Sequence, residues 1–286
     1  MYKEKSLLSF KVITPLHAGV GSGLGVVDLP IQREKHTNFP KIEASTLKGC
    51  FRESFENKTN SDEDKKKIHL AFGCDGCDLE IKEFAGALGF SDARVLLFPI
   101  KSVKGIFAYA TCPYILNRFN SEVSKKVLLE VDELTISKNS LLDLKNGDIV
   151  LEEYAFNVTR SDEVKKLANE ISKIVNIEKL EQRLVVLPDN EFTEFVSHST
   201  EVITRNKIDN ETGTVDSKSG GLFTEEYLPA ETVLYSLIFF GNSIEEFKDK
   251  TPKEWFSENS VDVLQIGGNS TLGKGIVKVK INENSN

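Results

Sequence analysis

Leu8-Ser-Phe-Lys-Val-Ile-Thr-Pro-Leu-His-Ala-Gly-Val-Gly-Ser-Gly-Leu-Gly25 opens the chain with a strand that runs into a glycine-rich loop. Leu8, Phe10 and Val12 alternate with polar residues, the period of a strand with one covered face. Thr14-Pro15 ends it. Residues 16–43 show no periodicity, and an irregular segment of that length inside a compact domain is uncommon and usually functional. The chain then turns helical. Ser45 reads as an N-cap, and Leu47, Phe51 and Phe55 recur at i, i+4 and i+8 as an apolar stripe. Lys48 and Arg52, also four apart, lie together on another face of that helix.

The rest of the chain extends this start. Residues 57–67 are polar and read as a surface excursion. Residues 93–100 and 105–110 read as two strands, and Pro113 suits the first turn of a short helix. Residues 121–182 are charged, with a helical patch over 162–179, and are expected to form an inserted subdomain within a single domain spanning 1–286. Residues 183–187 are a strand. Residues 200–229 are expected to hold a hairpin, with arms at 200–207 and 221–227 and the turn cluster Asp209-Asn-Glu-Thr-Gly213 at its tip. A central strand over 232–240, a helix over 244–256 and a closing strand over 275–281 complete the order. In the closing strand Lys278 and Lys280 share one face. The sum is an α+β fold with a β-α-β-β-α-β core and insertions.

The chain has 286 residues, with 36 Lys and Arg against 44 Asp and Glu, a formal net charge of −8. That balance argues against indiscriminate binding to nucleic acid and leaves room for a local basic track. No apolar run approaches the roughly 18 residues that span a bilayer. The first residues lack a long apolar stretch, so no signal peptide is expected and a cytoplasmic location follows by default. The 4 cysteines are then expected as reduced thiols.

Four constellations carry potential chemistry. In His17-Ala-Gly-Val-Gly-Ser-Gly-Leu-Gly25 the alternating glycines let backbone N–H groups approach an anion or ribose; a flexible turn is the bland alternative. The dinucleotide fingerprint fails there at Leu24 or Val26. Gly268-Asn-Ser-Thr-Leu-Gly-Lys-Gly275 nearly matches a P-loop, but Gly275 replaces the hydroxyl that holds magnesium and a strand follows instead of a helix. An NTPase is excluded, while a glycine turn that seats a phosphodiester on its N–H groups remains. Val26-Val-Asp-Leu-Pro-Ile-Gln-Arg-Glu-Lys-His-Thr37 places Asp28 mid-loop, where a carboxylate ligates Mg²⁺, acts as a base beside a phosphate, or caps a turn. Arg33, Lys35 and His36 face phosphate or solvent. Cys74-Asp-Gly-Cys77 offers two of the about four ligands that zinc needs, and there is no second such pair, so loop cysteines are the default.

Taken together, Thr14-Pro-Leu-His-Ala-Gly-Val-Gly-Ser-Gly23, Gly25-Val-Val-Asp-Leu-Pro-Ile-Gln-Arg-Glu34, Pro40-Lys-Ile-Glu-Ala-Ser-Thr-Leu-Lys-Gly-Cys-Phe-Arg52 and Ile266-Gly-Gly-Asn-Ser-Thr-Leu-Gly-Lys-Gly275 resemble signatures of the RAMP superfamily of CRISPR-associated proteins. The resemblance is strongest to the repeated backbone subunit of the type III-B (Cmr) effector complex. It covers both ends of the chain and leaves residues 121–182 without a matching signature.

That resemblance implies a ferredoxin-like, RRM-like core, a β-hairpin thumb, and copies of the chain stacked head to tail on a guide (CRISPR) RNA beside other Cmr subunits. It further implies metal-dependent cleavage of single-stranded target RNA, with Mg or Mn, in antiviral defence. Asp28 matches the aspartate needed for cleavage and is the implied metal ligand. His17, Lys48, Arg52, Gly267, Gly268, Gly273 and Lys274 match the RNA-contacting set. Cys50 departs from the small residue common after Gly49. Three alternatives stay open: a non-catalytic RNA-binding scaffold, a guide-processing endoribonuclease of the same superfamily, and a small-molecule enzyme built on the incomplete motifs.

Overall fold

The structure, a computed structural model, describes residues 2–23, 25–59, 61–74, 85–123, 134–144, 147–215, 221–241 and 250–282. The first half of the chain supplies β1 (Glu4–Val12), β2 (Lys41–Ile42), α1 (Ala44–Glu56), α2 (Asp62–Phe72), β3 (Leu88–Phe90), β4 (Ala93–Lys101), β5 (Phe107–Thr111) and α3 (Pro113–Val123). Next come β6 (Thr135–Ile136), β7 (Asp148–Leu151), β8 (Tyr154–Asn157), β9 (Thr159–Arg160), α4 (Asp162–Val175), β10 (Leu184–Val186) and α5 (Asp189–His198). The chain closes with β11 (Glu201–Asn206), β12 (Leu222–Tyr227), β13 (Val233–Phe240), α6 (Pro252–Asn259), β14 (Val263–Gln265) and β15 (Ile276–Asn282).

Among the described residues the main sheet runs β14-β15-β1-β13-β4-β5-β10-β6-β9, with β2 beside β4 and β3 beside β13. At its centre β1 is antiparallel to both β13 and β15, and β13 is antiparallel to β4. The spatial order β15-β1-β13-β4, with α1 between β1 and β4 and α6 between β13 and β15, is the expected β-α-β-β-α-β core. Residues 102–232 are inserted between β4 and β13. They lengthen the same sheet through β5, β10, β6 and β9, and they carry the separate β7–β8 and β11–β12 hairpins.

The alternation in β1 is less simple than the sequence suggests. Leu7, Leu8, Ser9 and Phe10 are all buried. Phe10 packs against Phe51 of α1, while the Ser9 hydroxyl donates to the Ile174 carbonyl of α4 at 3.0 Å. Successive side chains point to opposite faces, so α1 covers one face of β1 and α4 the other. Hydrogen bonding makes the buried Ser9 tolerable.

Two helix starts differ from expectation. Ser45 is not the cap of α1: Glu43 holds that position without a side-chain bond, and the Asp92 carboxylate accepts from Ala44 N at 3.0 Å instead. The cap comes from a distant loop, which no local pattern encodes. The supposed excursion over 57–67 contains the start of α2, capped by the Ser61 side chain and followed by Asp62, Glu63 and Asp64 in its first turn. Those acids suit a helix N-terminus, and Ile68, Leu70, Ala71 and Phe72 bury its last turns. The closing helix starts later than expected, at Pro252 behind a Thr251–Glu254 capping box. Residues 244–249 of that expectation lie outside the described ones.

Candidate nucleic-acid interface

Strand β12 organises the site. Its side chains alternate between two sides. Thr224 and Glu226 meet the loop that carries Asp28 to Arg33, whereas Glu225 and Tyr227 meet the loop of the terminal glycines.

On the first side, residues 28–31 run alongside β12. Leu29 N donates to the Thr224 carbonyl at 3.0 Å and Glu226 N donates to the Leu29 carbonyl at 3.0 Å. The Glu226 carboxylate accepts from Arg33 Nη2 at 2.6 Å, Thr200 Oγ1 at 2.8 Å and Ile31 N at 3.0 Å. Arg33 also donates to the carbonyls of Asn38 and Val196. Arg33 is therefore a part-buried strut of this loop, its guanidinium engaged by three protein groups. Next to it Glu34 is buried against Arg118, whose Nη1 lies 2.8 Å from both carboxylate oxygens.

Asp28 sits at the open end of this pairing. Its Oδ2 accepts from Thr224 N at 2.7 Å and from Thr224 Oγ1 at 2.9 Å, while that hydroxyl accepts from Asp28 N at 3.0 Å. The Thr224 backbone N–H, then its hydroxyl, hold the Asp28 carboxyl below the ordinary value of 3.8. The carboxylate is exposed and ionised at neutral pH.

On the second side, His17 Nδ1 lies 2.7 Å from the Glu226 carbonyl. A carbonyl only accepts, so Nδ1 carries the proton. His17 Nε2 then faces Glu225 Oε1 at 3.6 Å. The Glu225 carboxylate is buried among Arg205 Nε at 2.7 Å, Tyr227 Oη at 2.6 Å and Asn269 Nδ2 at 2.7 Å. Burial works to raise its pKa, but the hydrogen bonds from Tyr227 and Asn269 and the charges of His17 and Arg205 bring it below the ordinary value of 4.5. Lys274 Nζ lies 5.0 Å over the Tyr227 ring, a cation–π contact.

The two glycine loops meet here, as the sequence reading requires. Gly268 N donates to the His17 carbonyl at 2.9 Å and Gly275 N to the Pro15 carbonyl at 3.0 Å. Gly267 has φ +82°, and a Cβ there would sit 2.2 Å from the His17 carbonyl oxygen. Only glycine allows that approach. Gly273 is also left-handed, at φ +69°, but faces open space. The Gly267 backbone hydrogen-bonds the Cys50 thiol, which burial pushes up, so α1 touches the same loop.

The two α1 cations part company. Lys48 is half-buried and has no hydrogen bond or ion pair among the described residues; burial first, and then the Arg52 charge, lower its pKa. A half-buried, unpaired ammonium is suited to an incoming anion. Arg52 instead turns toward α2, donating to Glu56 Oε1 at 2.8 Å, the Gly73 carbonyl at 3.2 Å and His69 Nδ1 at 3.2 Å. Of the two cations that share a face of α1, Lys48 is thus unpaired among the described residues and Arg52 is occupied. Lys278 is exposed, whereas Lys280 donates to the Lys173 carbonyl.

Cys77 lies outside the described residues. Cys74 is disulfide-bonded, against the reduced state expected of it, while Cys50 and Cys112 are free thiols. Sequence reasoning missed Thr224, Glu225, Glu226, Tyr227, Asn269 and Arg205. The available signal was Thr224-Glu-Glu-Tyr-Leu228, two adjacent carboxylates in a strand with apolar ends.

The profile of the RAMP superfamily matches residues 9–278. The chain is 38% identical over 292 residues to the CRISPR system Cmr endoribonuclease Cmr4 of Pyrococcus furiosus, across 98% of this chain and 96% of that one. The crystal structure of oligomeric Cmr4 from Pyrococcus furiosus superposes with a TM-score of 0.74 at 30% identity, covering 98% of this chain and 99% of that one. A chain of the type III-B Cmr-beta structure bound to cognate target RNA superposes with a TM-score of 0.77, covering 98% of each chain; at 23% identity it speaks for the fold alone. The glycine loops, the Asp28 segment and the β-α-β-β-α-β core are therefore those of a chain that belongs to the RAMP superfamily.

Proposed function

We propose that this chain is the repeated backbone subunit of a type III-B CRISPR effector complex. It binds guide RNA, stacks with copies of itself beside other Cmr subunits, and cuts complementary target RNA at regular intervals. Support comes from a relative that is a Cmr endoribonuclease and forms an oligomer in a crystal. The observation that carries the nuclease reading is Asp28, an exposed carboxylate held by two donors of one β12 residue. A passive scaffold has no use for it.

His17, the Gly267–Gly268 turn and Lys48 are the groups assigned to the guide backbone. Arg52, already engaged, is assigned a role in fixing α1 to α2. The β11–β12 hairpin is assigned as the thumb. Its exposed Val202, Ile208, Val215 and Leu222 suit contact with unstacked bases.

Cleavage follows from the RNA itself. The 2′-oxygen attacks the adjacent phosphorus and loses its proton, the 5′-oxygen leaves and gains one, and the products are a 2′,3′-cyclic phosphate and a 5′-hydroxyl. Asp28, with its lowered pKa, is a weak proton acceptor. Its part is to accept the hydrogen bond of the 2′-hydroxyl and orient the attacking oxygen.

The expected divalent ion, Mg or Mn, takes about six oxygen ligands. Asp28 offers one carboxylate with an oxygen already bonded to Thr224. Among the described residues no group of three or more acidic, histidine or cysteine side chains surrounds a cation position. The chain by itself does not fit a resident cation, and RNA would have to supply the remaining ligands.

The test is reconstitution with guide RNA, partner subunits and complementary target. Regularly spaced products that vanish in Asp28→Ala, with target still bound, support the reading. Target that is bound and left intact by the wild-type complex would make the chain a scaffold.

A further inference from the structure

We infer that Thr224 is a positioning residue for cleavage, through which the thumb strand sets where the Asp28 carboxylate points. The inference rests on the nuclease reading above and deepens it.

Asp28 and Thr224 are 196 residues apart in the chain and share three hydrogen bonds. The Thr224 hydroxyl does two things at once: it accepts from Asp28 N at 3.0 Å and donates to Asp28 Oδ2 at 2.9 Å. One side chain thereby fixes both the backbone and the carboxylate rotation of Asp28. The Thr224 N–H takes the same oxygen, Oδ2, at 2.7 Å. Oδ1 is left as the atom free to meet substrate, with its direction set.

Among the described residues no residue but Thr224 bonds that carboxylate. Asp28 has no ion pair among the described residues, so these two bonds alone set the rotation of its carboxylate there. The residues that follow, Leu29 and Ile31, are bonded to Thr224 and Glu226 of the same strand. A shift of β12 therefore carries Asp28 with it. Displacement of a target nucleotide by the thumb and placement of the carboxylate become one event. Misplacing a reacting group by about 1 Å can cost on the order of 100-fold in rate, so a rotationally freed Asp28 should be slow even when target is bound.

The test compares Thr224→Val, Thr224→Ala and Thr224→Ser with wild type and Asp28→Ala in the reconstituted complex. Single-turnover cleavage, target affinity and the pH profile of cleavage are measured. Valine and alanine remove the hydroxyl and keep the backbone N–H; serine keeps both. The expected result is a rate lower by about 10–100-fold for valine and alanine at unchanged target affinity, with the acid limb moved to higher pH, and recovery of rate and profile in serine. Wild-type rates in both hydroxyl-free variants, with Asp28→Ala inactive, would overturn the positioning role and leave the nuclease reading intact. Cleavage by Asp28→Ala would overturn that reading itself. Loss of target binding in step with rate would show Thr224 to be merely structural and overturn the inference.

Discussion

The carboxylates gathered along β12 are put to opposite uses. Glu225 and Glu226 are buried carboxylates, each surrounded by donors from three other residues. Asp28, hung on the neighbouring Thr224, is exposed and has one partner residue. Burial raises the cost of an unpaired charge, so the first pair is a joint whose loss the fold should feel. Exposure screens the second, so its loss should be felt in chemistry.

That contrast can be broken in graded ways. The largest effect is expected for Asp28→Ala: cleavage falls by about 10²–10⁴-fold while the urea unfolding midpoint stays put. Equal loss of stability would erase the distinction. Glu226→Ala should do the reverse, since it leaves the part-buried Arg33 guanidinium without its counter-charge; the loss should lie below the about 3–5 kcal/mol of a fully buried pair, read by urea denaturation.

Gly267→Ala comes next. The new methyl meets the His17 carbonyl in a left-handed backbone, and strain of about 1–3 kcal/mol is expected, with weaker guide binding. Gly273→Ala, left-handed but in open space, should cost about 1 kcal/mol; a reversed ranking would show that the loops need not touch. Lys48→Gln should weaken guide RNA uniformly across sequences and lower the salt slope by about 0.7, measured by filter binding at several ionic strengths.

The smallest effect concerns pH. The folded pKa of Glu225 lies below 4.5, so the unfolded chain binds more protons in that range. Stability from Glu225 is present above pH 4.5 and is lost as pH falls through the folded value. Glu225→Gln should flatten the acid limb of a stability–pH curve, which thermal melts between pH 3 and 6 would record.

Much of the frame was legible because it is local. The i, i+4, i+8 stripe of α1, the 113 helix start, the hairpin turn at 209–213 and the strands at 93–100 and 232–240 are short-range patterns, and the core order follows from them. Errors fall where partners are remote. Arg52 shares a helix face with Lys48, yet His69 and Gly73 claim its guanidinium. Arg33 looks solvated in a polar run, yet Glu226 holds its guanidinium.

The amino-acid order alone determined which residues are present for chemistry: paired glycine loops, a mid-loop aspartate, and a lysine one turn from an arginine. Periodicity and glycine placement act over a few residues, so they survive being read one after another. Tertiary structure decided which of those residues are free. Partners such as Thr224 for Asp28, Glu226 for Arg33 and Asp92 for Ala44 lie far off in the chain. Only the closed sheet, with β12 between the two loops, brings them within hydrogen-bond reach.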